Sequence, residues 1–264
     1  MMGNSEEMSE VGRASAPKVG LLYPTRDCGE DDFVRMAALL DPSITVEFSY
    51  VEWGEDVSDI AEMGALEKLN AVRELGEPDR LAVAAAGLTG FAPHVVALAC
   101  SSCSFLQGLD GARKQAADLA ALMGAPATST SLAFVAAARA MGLSRVGLAS
   151  VYGEEVTSAF AEFLADAGIT TTHHVAMDAP SDRALASWDR HRIADLTERG
   201  DDPGAEAVLV PETALHTADL VPGLERRLGK PVLTATQVTI WRALAEAGHA
   251  ATGGGAGALL ERAR

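Results

Sequence analysis

Seven short runs rich in Val, Leu and Thr, separated by stretches of helical periodicity, constrain this chain more than any other feature. The runs lie near residues 18–23, 45–50, 95–99, 145–150, 170–176, 207–211 and 231–234. Short runs of this kind, bounded by polar or glycine-bearing turns, read as strands of a parallel sheet. Helical patterns fill the intervals near 31–40, 59–75, 80–90, 106–123, 132–141, 154–167, 182–199, 214–228 and 238–247. Such alternation predicts an α/β fold with mainly parallel sheets covered by helices on both faces. Gly124, Gly142, Gly168 and Gly229 stand where helices should stop.

The two halves of the chain echo each other. The run at 95–99 leads into Cys100-Ser-Ser-Cys-Ser104, and the run at 207–211 leads into Glu212-Thr-Ala-Leu-His216. Cys100 and Glu212 hold matching places 112 residues apart, about the size of one lobe. In open α/β sheets ligands bind just beyond the carboxyl ends of the strands. Two lobes related by a pseudo-two-fold would therefore place a thiol opposite a carboxyl across one cleft. Ser101 and Ser102 add hydroxyls and outward-pointing N–H groups, which suit an anion and would lower a nearby thiol's pKa. The plainer readings are that Cys100 is a small buried hydrophobe and that Glu212 caps a following helix.

At 264 residues the chain exceeds one typical core, so two lobes are expected. The predicted division is a disordered tail over 1–16, a first lobe over 17–125 plus 233–250, a second lobe over 126–232 and a flexible C-terminal tail over 251–264. A net charge of −16 with no basic cluster argues against a nucleic-acid partner. No run approaches 18 apolar residues and the N-terminus lacks an apolar signal region, so neither a membrane span nor a secretory leader is expected.

Three cysteines without a disulfide framework fit a reducing cytoplasm. The spacing of Cys100 and Cys103 invites a zinc or thioredoxin-like reading, but no second Cys pair or Cys/His cluster completes a metal site. Cys103 is expected to pack on the sheet or line a pocket wall. Cys28 lies among Asp27, Glu30, Asp31 and Asp32, a field that should keep it protonated. His216 could reach the cleft one helical turn in. No Gly-x-Gly-x-x-Gly follows a strand, which disfavours a dinucleotide site.

Four blocks taken together carry a family resemblance. They are Gly20-Leu-Leu-Tyr-Pro24-Thr, Ala99-Cys-Ser-Ser-Cys-Ser-Phe-Leu-Gln-Gly108, Arg145-Val-Gly-Leu-Ala-Ser-Val-Tyr152, and Leu224-Glu-Arg-Arg-Leu-Gly-Lys-Pro-Val-Leu233 with Trp241 behind it. In this order and spacing they resemble the aspartate/glutamate racemase superfamily, on the branch of maleate cis-trans isomerases and arylmalonate decarboxylases. The resemblance implies two flavodoxin-like lobes closing on a small carboxylate, with no metal and no organic cofactor. It assigns Ser101, Ser102, Tyr152, Thr213, Ala214, Pro24 and Thr25 to substrate binding. The family's first-half cysteine corresponds to Cys100. Its second-half cysteine corresponds to Glu212, a departure, while arylmalonate decarboxylases depart at the first position instead.

The expected activity is a cofactor-independent isomerase or racemase acting on a small carboxylic acid. Cys100 would serve as nucleophile or base and Glu212 as the opposing acid or base. A decarboxylase of malonate-type acids, with Cys100 as proton donor, is the second reading. A non-catalytic carboxylate-binding protein is the third. Expected partners are a small carboxylate substrate and, for assembly, a homo-oligomer. With few Lys or Arg residues near the pocket, the substrate's second group is expected to be neutral, cationic or a hydrogen-bond donor.

Overall fold

A computed structural model of the chain describes residues 16–54, 63–251 and 255–262. Residues 1–15, the first part of the helix expected over 59–75, and part of the glycine-rich segment near 252–254 lie outside the described residues.

Two four-stranded parallel sheets form the core. The first comprises β1 (Lys18–Tyr23), β2 (Thr45–Tyr50), β3 (Val95–Leu98) and β4 (Ala127–Ser129), in the order β2-β1-β3-β4. The second comprises β5 (Arg145–Ser150), β6 (Thr170–Ala176), β7 (Ala207–Val210) and β8 (Val232–Thr234), in the same relative order β6-β5-β7-β8. Identical orders make the two lobes topological copies, as the echo in sequence implied. Every residue of β3 and of β7 is buried, which explains why those strands read as unbroken apolar runs.

Helices α1 (Glu30–Leu40), α2 (Ala65–Leu75), α3 (Pro78–Ala86), α4 (Ser102–Phe105) and α5 (Gly108–Met123) accompany the first sheet. The rest are α6 (Thr130–Met141), α7 (Glu154–Asp166), α8 (Asp182–Ala186), α9 (Arg190–Arg199), α10 (Val221–Leu228), α11 (Ala235–Glu246) and α12 (Ala258–Arg262). Gly124 and Gly142 end α5 and α6 in the left-handed region, φ 61° and 69°, where a side chain would be strained.

Four expectations need correction. No element was expected over 127–129, where β4 has too few residues for a period to show, yet it pairs with β3 and carries the first sheet to Ser129, past the expected 125/126 boundary. The helix expected over 182–199 is two helices, because the Asp189 side chain accepts hydrogen bonds from His191 and Arg192 N–H at 2.9 Å and starts α9 afresh. The helix expected from 214 begins only at Val221. The N–H groups of Thr217 and Ala218 are taken by the buried Asp32 carboxylate of the first lobe, at 3.0 and 2.9 Å, which holds the preceding segment as a turn. Finally, the C-terminal segment is not a free tail throughout. Leu259 and Leu260 are fully buried, and Glu225 accepts from the Ala258 N–H.

The lobes share an aromatic seam. Phe105 of α4 packs on Phe160 of α7 with ring centroids 4.9 Å apart, and Phe134 and Phe163 complete the stack at 5.7 and 6.1 Å from Phe160. Phe160 is fully buried, so replacing it with alanine leaves a cavity at the joint between the sheets. Phe160→Ala is expected to lower unfolding stability by about 3–5 kcal/mol. A urea titration showing under 1 kcal/mol of loss would remove the seam from the description.

Candidate active site

The repeated topology brings the two strand ends together. Cys100 lies two residues past the end of β3, and Glu212 lies two residues past the end of β7. Both line one cavity of about 500 Å³, together with Pro24, Ser101, Ser102, Cys103, Tyr152 and Thr213. The pairing expected from the sequence is therefore realised in space. Two of the expected binding residues stand differently. Thr25 is not on the wall, but its hydroxyl donates at 2.6 Å to Asp182, which is. Ala214 is buried behind the wall, and its N–H is given to Glu212 Oε1 at 2.7 Å.

The free thiol expected at Cys100 is corrected. Cys100 and Cys103 are joined as a disulfide, with Cα atoms 5.6 Å apart. A bonded sulfur neither attacks carbon nor carries a proton, so in this state Cys100 contributes only bulk. Cys103 lines the cavity, as expected, and its N–H points at Cys100 Sγ at 3.3 Å. The absence of a disulfide expected from the cysteine count does not hold. Cys28 is buried and free, and desolvation with the nearby Asp182 pushes its thiol up to about 12, so it stays protonated.

Glu212 is 3% exposed, and no cation among the described residues pairs with it. Burial first, and the Asp182 carboxyl second, raise its pKa to about 8, while the Ala214 N–H, the Tyr152 hydroxyl and the Thr213 N–H pull the other way without prevailing. Desolvation and the neighbouring carboxyl thus both favour the protonated, neutral form of Glu212. Asp182 is itself raised by desolvation, against the opposing Thr25 hydrogen bond. The tyrosines nearby are satisfied on the backbone. Tyr152 donates to Pro211 O at 2.6 Å and Tyr23 to Thr213 O at 3.3 Å. Burial raises both phenols well above their ordinary range, so they act as donors and not as anions.

One donor stands unused. Ser101 Oγ is buried without a hydrogen-bond partner on the cavity wall, while its carbonyl accepts from Ser131 Oγ at 2.7 Å. A buried hydroxyl left unpaired is costly, and a substrate oxygen would satisfy it. The rest of the wall is largely apolar, with Trp53, Val72, Leu75, Val156 and Leu185 among its residues. Besides Glu212, its charged members among the described residues are Glu154, Glu155, Asp178 and Asp182 against the single cation Lys68.

Asp182 is the residue that sequence reasoning missed. It stood at the start of the helix expected over 182–199, and only its place one residue after a serine cap hinted at a fixed position. His216 does not reach this cavity. It pairs with Asp31 at 2.8 Å and lines a separate surface hollow with Asp32, Arg35 and Trp188. The turn that replaces the expected helix carries it there. Among the described residues no cluster of three His, Cys, Asp or Glu side chains could hold a metal, and no helix is long and apolar enough to cross a membrane.

Comparison with known proteins gives the geometry a family. The sequence profile of the arylmalonate decarboxylase family matches residues 57–260. Arylmalonate decarboxylase of Bordetella bronchiseptica is 31% identical over 159 residues, a match spanning 60% of this chain and 66% of that enzyme. A crystal structure of arylmalonate decarboxylase superposes with a TM-score of 0.73 at 26% identity, covering 93% of this chain and 99% of the other. A mutant of that enzyme, with glycine replaced by cysteine and cysteine by serine, superposes in its liganded form at TM-score 0.78 and 27% identity, over 92% and 98% of the chains. A Nocardia farcinica maleate cis-trans isomerase mutant holding a succinylcysteine intermediate shares the fold at TM-score 0.80, with 18% identity over 92% and 98% of the chains.

The neutral state of Glu212 has a consequence for stability. Between about pH 4.5, the ordinary glutamate value, and about 8, the unfolded chain releases a proton that the folded chain keeps. The folded state binds more protons, so this carboxyl's contribution to stability falls as pH rises through that window. In urea titrations the wild-type midpoint should drop relative to Glu212→Gln on going from pH 5 to pH 8. A relative rise would mean that the carboxyl is ionised when folded.

Proposed function

From the premise that the chain belongs to the arylmalonate decarboxylase family, we propose that it decarboxylates malonate-type acids carrying a bulky apolar substituent, without an organic cofactor. The observation that carries this reading is the buried Glu212, whose carboxyl desolvation pushes toward its neutral form, set in a largely apolar cavity of about 500 Å³ beside the unpaired Ser101 hydroxyl. A four-carbon diacid would leave most of that volume empty. An aryl or branched alkyl group would fill it against Trp53, Val72 and Leu75, and burial of that surface would supply binding energy.

In this reading one substrate carboxylate is held by the Ser101 hydroxyl, with the Ser102 hydroxyl beside it. Charge-assisted bonds of this kind are short and strong. This departs from the neutral or cationic second group expected from the sequence: the second carboxylate lies against the apolar wall, where poor solvation favours its departure as carbon dioxide. The electron pair of the broken bond passes into the held carboxylate as an enediolate, which the serine donors stabilise. Glu212 then delivers its proton to the α-carbon, and water returns a proton to Glu212. A carboxyl that keeps its proton at neutral pH is suited to that step.

Isomerisation or racemisation, placed first from the sequence alone, becomes the second reading here. The cavity's size and apolar lining favour the decarboxylase. The second reading draws on Cys100, which lines the same cavity from the other lobe and would complement Glu212 as a reduced thiol.

The test is a panel of aryl- and alkylmalonates, maleate, aspartate and glutamate, followed by NMR. Release of carbon dioxide from malonates with bulky substituents is expected, with kcat/KM falling above about pH 8 as Glu212 loses its proton. Glu212→Gln should lower the rate by about 10²–10⁴-fold, and Ser101→Ala by about 10²-fold. Turnover of maleate or of the amino acids alone would replace this reading with the second.

A further inference from the structure

The Cys100–Cys103 bridge occupies one of the two strand ends that face the cavity, and neither of its cysteines is explained by the decarboxylation step. We propose that this pair is a reversible thiol–disulfide couple that sets whether the site handles protons from one lobe or from both. The inference rests on the proton-transfer role given to Glu212 above.

The position of the pair carries the argument. Cys100 and Glu212 are equivalents in the two lobes, each two residues beyond a central buried strand, and both line the same cavity. With the sulfurs joined, Glu212 is the only one of these two equivalents holding a transferable proton. With the sulfurs reduced, Cys100 presents a second acid or base from the other lobe. A site with one such group delivers a proton to one face of the α-carbon. A site with two can also remove a proton from one face and return one to the other, so it exchanges and inverts a substrate α-hydrogen.

A bridge between residues three apart closes a very short loop and constrains the unfolded chain little, so stabilisation does not account for it. The surroundings suit reversible chemistry instead. Both cysteines line the cavity, Ser102 Oγ lies 3.8 Å from Cys100 Sγ, and the Cys103 N–H points at the same sulfur. The third cysteine, Cys28, is absent from the wall of this cavity and stays protonated, so it does not compete.

Oxidation needs a two-electron acceptor of the hydroperoxide class. The Cys100 thiolate attacks the O–O bond, takes one oxygen as a sulfenic acid and releases an alcohol or water. The Cys103 thiol then attacks that sulfur, forming the S–S bond and expelling water. In sum, two thiols and one hydroperoxide give one disulfide, one alcohol or water, and one water. Reduction runs through a small dithiol, whose thiolate attacks the bridge and leaves as its own cyclic disulfide while both cysteines regain protons.

The experiment uses the full chain, oxidised with hydrogen peroxide or reduced with dithiothreitol and freed of reagent, with thiols counted after denaturation. Each form is incubated in heavy water with single enantiomers of 2-arylpropionates and α-amino acids, and loss of the α-hydrogen signal is followed by proton NMR. The reduced form should hold two more thiols than the oxidised form and exchange the α-hydrogen at least about tenfold faster. Cys103→Ser, which cannot form the bridge, should exchange equally fast before and after incubation with oxidised dithiothreitol. Cys100→Ser should exchange in neither state.

Equal exchange in both redox forms, exchange in neither, or a thiol count that peroxide does not change would each overturn the proposal. Redox-dependent exchange in a protein that decarboxylates no malonate would retain the couple and sink the decarboxylase reading. Malonate decarboxylation with redox-independent exchange would do the reverse.

Discussion

Glu212 is buried at the end of β7 without a cation, beside a second carboxyl, and the rest of the cleft is arranged around that fact. Two carboxylates in one poorly solvated cavity do not both ionise readily, so each raises the cost of ionising the other. Asp182 receives a strong hydrogen bond from Thr25, while Glu212 has backbone N–H groups that do not offset its desolvation. The outcome is a carboxylic acid aimed at a cavity that also offers an unpaired serine hydroxyl.

This arrangement survives only if the lobes hold their relative position, and several interactions between them do that. The Asp32 carboxylate of α1 accepts two backbone N–H groups from the turn after β7. Tyr23 reaches Thr213, Thr25 reaches Asp182, and Arg35 meets Asp219 at 2.8 Å. The last of these is exposed and worth little. The first three are at least partly buried and flank the cleft, so they set where the strand ends sit. The Phe105–Phe160 contact closes the joint with apolar surface.

Much of this organisation was legible in the chain. The strands at 18–23, 45–50, 145–150 and 170–176 match the observed bounds, since each is a run of six or seven residues long enough for its strand pattern to show. The match between Cys100 and Glu212 was legible because both follow the same strand–turn unit. Asp182 was not legible, because its significance comes from Thr25 and Glu212, far away in sequence. The bend that carries His216 out of the cleft was hidden for the same reason. A carboxylate from α1 competes for N–H groups that local propensity would assign to a helix.

The sequence by itself determined the α/β class, the duplication, the two strand ends that matter and the residue types standing there. Those are properties of local periodicity and of repetition along the chain, and both are written in order. The tertiary structure decided the protonation of Glu212, the bonding of Cys100 to Cys103, the unpaired state of Ser101 and the size of the cavity. Each of these depends on the solvent excluded and on the groups brought near from other elements. Desolvation and distance are set only when the lobes meet.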